Sequence, residues 1–179
     1  MARYRFVKDV KSRASMSTPE VWLRGPVENV PPLLQPVAHA LLQCREEIEA
    51  HLSKLTAEQI WRAPHGGASV GYHVRHAAGS LDRLFTYARG ARLSDAQRQV
   101  LDQESQPDPD LTADDLLAAF EATVERALDQ LRETSEASLT QARSVGRAQL
   151  PSTVIGLLFH AAEHTQRHAG QIATTVKML

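Results

Sequence analysis

Apolar residues recur along this chain at steps of three and four, the period of an α-helix with one buried face. Leu34, Val37, Leu41, Cys44, Ile48, Leu52 and Leu55 form the first such stripe, opening near Pro31-Pro32. Val70, Val74, Ala77, Leu81, Leu84 and Ala88 form the second, with Ser69 placed to cap it and Gly90 to close it. The third stripe, Leu117, Phe120, Val124, Leu128 and Leu131, follows Thr112 as cap, with Asp114 and Asp115 at the positive end of the helix dipole. The fourth opens at Pro151-Ser152 and runs almost to Leu179 through Val154, Leu158, Ala161, Thr165, Ile172 and Val176.

Between the long helices the polar pattern predicts shorter ones. Thr56-Ala57-Glu58-Gln59 and Ser94-Asp95-Ala96-Gln97 both read as capping boxes, and Thr18-Pro19-Glu20 has the form of a brief helix start whose Trp22 packs onto the body. Residues 106–110 are a Pro- and Asp-rich loop, and residues 135–150 are a polar connection without periodicity. No stretch alternates convincingly as a strand does. The expectation is therefore all-α: a four-helix bundle over residues 31–179, with extra short helices in the connections. Residues 1–30 are expected to form an N-terminal arm, poorly ordered over its first half. The connections after the second and third long helices exceed what an up-down-up-down bundle needs.

Composition alters this picture little. The chain has 179 residues, 42% hydrophobic and 23% charged, as in an ordinary one-domain soluble protein. A formal net charge of -1 gives no general attraction to nucleic acid or to an acidic membrane, so direct nucleic-acid binding is not expected. No apolar run approaches the roughly 18 residues that span a bilayer. The basic residues Arg3, Arg5, Lys8, Lys11 and Arg13 are not followed by an apolar segment, as a secretory signal would require. The single cysteine, Cys44, lies on the first apolar stripe and reads as core; it fits a cytoplasmic location.

The histidines add chemistry. His160, His164 and His168 follow one another at i, i+4 spacing, so neighbouring rings of this ladder can reach one ion. At 100° per residue, His168 lies roughly 40° from the inward direction of its helix, His164 roughly 80° and His160 roughly 120°. The last two rungs are thus the better placed pair. On the second long helix His73 lies about 60° and His76 about 120° from the centre of the buried stripe, which leaves either able to look into a gap. His39, His51 and His65 show no grouping.

Two of these segments carry a resemblance. Ser69-Val70-Gly71-Tyr72-His73-Val74-Arg75-His76, followed by A-A-G-S-L-D-R-L, resembles the second-helix motif of the DinB/YfiT-like superfamily, which has a Ser at the helix start and a metal-binding His seven residues later. E-H-T-Q-R-H-A-G-Q resembles the fourth-helix motif of the same superfamily. The resemblance covers residues 30–179 and implies a divalent metal held by His76, His164 and His168. It implies packing or outer-sphere roles for His73 and His160, and Gln171 is a further candidate beside the site. The implied ion is zinc, nickel, iron or manganese, with a coordination position open to water or substrate.

Members of the superfamily include thiol-S-transferases, a thiol-dependent isomerase and damage-inducible proteins. The implied function is accordingly a metal-dependent hydrolase, or a transferase or isomerase that uses a low-molecular-weight thiol, acting on a small molecule. The alternative is a non-catalytic helical bundle that binds a small ligand or a protein, in a stress or damage response. A homodimer is compatible with the resemblance. No general base stands out, and Arg75, Arg83 and Arg167 read as solvated helix-surface charges.

Overall fold

The computed structural model describes residues 18–179. Most of the expected arm, residues 1–17, lies outside the described residues. Residues 18–30 are described and held to the body: Val21 is buried, its N–H donates to Gln43 Oε1 at 2.9 Å, and Arg24 pairs with Glu46. Trp22 does not pack inward as expected. It is 61% exposed and its indole N–H donates to Glu20 Oε2, so Val21 takes the buried place.

Six helices follow: α1 (Gln35–Leu52), α2 (Ala57–Trp61), α3 (Val70–Ala88), α4 (Asp95–Gln103), α5 (Ala113–Glu133) and α6 (Val154–Val176). The caps read from the sequence for α2, α3, α4 and α5 are formed. Thr56, Ser94 and Thr112 each make a reciprocal capping box, and Ser69 accepts from the Tyr72 N–H. Each satisfies N–H groups that a helix start leaves unpaired, worth about 1 kcal/mol apiece. Gly90, at φ +76°, follows α3 and donates to Tyr87 O, a conformation cheap only for glycine.

The four long helices form the bundle. α6 packs against α1 and α3, and α5 packs against the same two, so the consecutive helices α1 and α3 sit on a diagonal. The connection from α5 to α6 likewise spans a diagonal, while the one from α3 to α5 joins neighbours and is long because it carries α4. Phe120, Leu34, Leu41, Ile48, Leu81, Leu128, Leu158 and Ile172 are fully buried between them. Cys44 lies among these, and burial pushes its thiol up to about 12, which makes it inert core. Two stripe positions shift by one residue, with Leu116 and Phe85 buried where Leu117 and Leu84 are half-buried.

The connection after α5 is not featureless. Residues 142–145 and 150–153 form an antiparallel hairpin, β1 (Ala142–Val145) and β2 (Leu150–Thr153), pairing Ala142 with Thr153 and Val145 with Leu150. Its strands are four residues long, too short for alternation to register. Gly146 and Gln149 take positive φ at the ends of the turn. Pro151 and Ser152 therefore belong to a strand, and α6 starts at Val154 with Thr153 as its cap.

One close approach fixes the start of α3. A Cβ added to Gly71 would lie 2.5 Å from the Trp61 ring, so α2 presses its indole directly on the α3 backbone. The turn that carries His73 and His76 is held by this contact.

Candidate metal centre

Two helices bring four histidines together. His73 pairs with His168 and His76 with His164, so residue numbers rise on α3 as they fall on α6, the mark of antiparallel neighbours. The His76, His164 and His168 rings lie with centroids 5.2 Å (76–164), 4.7 Å (76–168) and 4.6 Å (164–168) apart. Each offers a nitrogen, and those atoms all fall within 4.8 Å of one another.

The second ring nitrogens of two of them have partners. His76 Nδ1–H donates to Glu104 Oε1 at 2.7 Å, which leaves Nε2 with a free lone pair. His168 Nδ1 lies 3.1 Å from His73 Nδ1. For His168 to offer Nε2 to an ion, its Nδ1 must carry the proton and His73 must accept it. His164 Nδ1 is buried with no hydrogen-bond partner among the described residues. An unmet buried nitrogen costs about 1–3 kcal/mol, so this trio lacks something.

The electrostatics agree with a cluster kept neutral. Burial, then the neighbouring His76 and His164, hold His168 down to about 3 from an ordinary 6.5. Burial and adjacent imidazoles lower His164 and His73 in the same way. Neutral imidazole is the form that ligates. The residues present therefore fit a divalent ion: three convergent lone pairs and an unpartnered nitrogen.

Glu104 is the residue that sequence reasoning missed. It directly follows α4 and is only 5% exposed. Burial pushes its carboxyl up, but hydrogen bonds from His76 and Arg83 outweigh that and hold it below its ordinary value. Arg83 is buried and reaches Glu104 Oε2 at 3.0 Å and Oε1 at 3.3 Å, which corrects its reading as a solvated charge. Gly79 makes room for the pair. A Cβ there would meet Arg83 Nη1 at 2.7 Å and Glu104 Oε2 at 2.9 Å. The sequence signal was a glycine one turn before an arginine within α3, but the carboxylate comes from another helix and no periodicity points to it.

The remaining candidates separate clearly. His73 is buried, behind His168. His160 is exposed, with its ring 5.5 Å from His164 and Nδ1 3.3 Å from Glu163. Arg167 also pairs with Glu163, which faces away from the trio. Gln171 is exposed, and with His73 and Arg167 it lines a cavity of about 380 Å³ whose lining includes none of the trio. Arg75 donates to Gln106 O. Tyr72, unremarked in the sequence, stacks on His76 at 5.5 Å and 15°, forming a wall of the site. His39, His51 and His65 lie outside the cluster.

The bundle that brings these histidines together is a fold with known members. The family profile of the DinB superfamily matches residues 40–172, and the chain belongs to that superfamily. Among solved structures it is similar to YfiT from Bacillus subtilis, described as a probable metal-dependent hydrolase with an unusual four-helix bundle topology. Identity there is 17% over 86% of this chain and 91% of that one, with a TM-score of 0.64. It is similar also to mycothiol-dependent maleylpyruvate isomerase, at 18% identity over 83% of this chain and 63% of that one, TM-score 0.58. A third is the colibactin self-resistance protein ClbS, solved with double-stranded DNA, at 13% identity over 80% and 94% of the two chains, TM-score 0.57. None of the curated proteins matches the chain.

Proposed function

We propose that the protein is a metal-dependent enzyme acting on a small molecule, with His76, His164 and His168 as the ligands of a divalent transition ion. The observation that carries this reading is the trio itself, three converging imidazoles, two of which, His164 and His168, are held towards the neutral form by burial. YfiT and the mycothiol-dependent isomerase, which share the fold, support a reaction of hydrolase type or of thiol-dependent transferase or isomerase type. Three neutral imidazoles leave a divalent ion with room for a further ligand, where it would lower the pKa of water, hold a thiolate or polarise a carbonyl.

The chain's own residues then have separate tasks. Glu104 fixes the tautomer and tilt of His76, and Arg83 fixes Glu104. His73 does the same for His168. Tyr72 shields one face of the His76 ring from water. His160 stands at the solvent side of His164 beside Glu163.

The test is metal removal and replacement during an activity screen. Chelator-treated protein and protein reloaded separately with zinc, nickel, iron(II) and manganese are compared on esters, amides and electrophiles with small thiols. Turnover that appears only in the loaded protein, and depends on thiol or not, assigns the class. Turnover equal in chelated and loaded protein would overturn the reading. Duplex DNA belongs in the same screen because ClbS was solved with it. For this chain a net charge of -1 favours a small-molecule substrate, and binding of DNA that falls steeply with salt would argue otherwise.

A further inference from the structure

The end of α3 opposite the histidines is bordered by a second, larger cavity. It has a volume of about 1060 Å³ and lies between the last turn of α3, the α3–α4 connection, α4 and the β1–β2 hairpin. Its walls carry Arg92, Arg98, Arg143 and Arg147 against a single carboxylate, Asp102, with Tyr87 at the α3 side. Tyr87 is eleven residues beyond His76, about 16 Å along the helix. This cavity is therefore not the metal centre.

The arginines are not explained by pairing. Arg98 is paired with Asp95. Arg143 uses its guanidinium on neutral acceptors only: Ala88 O at 2.8 Å, Ala142 O at 2.9 Å and Gln141 Oε1 at 3.3 Å. That accounts for its position, as a cation on the negative end of α3, but leaves its charge uncancelled. Arg92 and Arg147 make no ion pair among the described residues, and both stand exposed at the rim. In a chain of net charge -1, gathering this much uncancelled positive charge around one concavity calls for an anion.

We propose that the cavity binds a small organic anion bearing adjacent phosphate groups. Guanidinium forks match phosphate oxygens in pairs, and several forks around one hollow exceed what a lone carboxylate needs. A volume of this size admits a nucleotide-sized ligand. The half-enclosed shape suits a small molecule better than the flat, extended contact a duplex requires. This inference is independent of the metal reading.

The test is calorimetry at constant ionic strength on chelator-treated protein, with sodium pyrophosphate, citrate and a short DNA duplex as probes. Arg92→Ser/Arg147→Ser removes two exposed charges without touching Arg143, and its melting without ligand should match the natural chain. Pyrophosphate should bind saturably to the natural chain, to His76→Ala and to the surface control Arg62→Ser, and about tenfold or more weakly to the double variant. Citrate should bind more weakly than pyrophosphate. Absence of saturable binding, equal affinity in the double variant, tighter binding of citrate, or arginine-dependent binding of the duplex alone would each overturn the proposal.

Discussion

The two ends of α3 border opposite kinds of site. At one end four imidazoles crowd together, and burial favours the uncharged form of His73, His164 and His168; the one carboxylate among them is tied down by a buried arginine. At the other, arginines on a turn and a hairpin keep their charge at the surface around an open cavity. Neutral donors packed in the dry bundle suit a cation that supplies the missing charge. Solvated cations suit an anion. Burial between the two helices, or exposure on the turn, α4 and the hairpin beyond the end of α3, decides which kind of ion a group can attract.

The comparison breaks most severely at Arg83. Arg83→Met leaves Glu104 buried without its cation, and stability should fall by about 3 kcal/mol, measurable by urea unfolding. The matching loss of an exposed arginine at the other end, Arg147→Ser, should leave unfolding unchanged. Glu104→Gln keeps the shape but gives His76 a neutral partner. Metal affinity should drop about 10–100-fold, as competition with a chromogenic chelator would show, and stability should fall as well because Arg83 is left buried without its anion. Gly79→Ala should move in the same direction more weakly, because the atoms it displaces are the ends of two flexible side chains.

Acid should act at the histidine end. His168 is held at about 3 against an ordinary 6.5, and His73 and His164 are also lowered. Between those limits the unfolded chain binds protons that the folded chain refuses. Stability is therefore complete above pH 6.5 and declines as pH falls towards 3. Chelator-treated protein should melt about 4–8 °C lower at pH 5 than at pH 7.5, on the order of 2 kcal/mol. A flat profile would mean that the cluster is not kept neutral. The smallest effect is expected at His160, where His160→Ala should leave metal affinity within about twofold because that ring is exposed and paired with Glu163.

How far the sequence carried this account depended on whether the signal was local. The stripes, caps and capping boxes depend on residues three or four apart, and all four long helices were legible from them. The inward ranking of His168 over His164 over His160 was legible for the same reason. The hairpin was not, since four-residue strands carry too little alternation. Glu104 and Arg83 were not, because a buried ion pair between α3 and the end of α4 leaves no periodic trace. Trp22 was misplaced because a three-residue turn has no face to compare. Convergence of His76 with His164 and His168 required the resemblance, as periodicity alone left both His73 and His76 able to look into a gap.

The most direct test of the central claim is elemental analysis of protein purified without a metal-affinity tag, compared among the natural chain, His76→Ala and His160→Ala. The account predicts a stoichiometric transition metal in the natural chain and in His160→Ala, and its loss from His76→Ala. Metal content that is negligible in all three, or unchanged in His76→Ala, would contradict it.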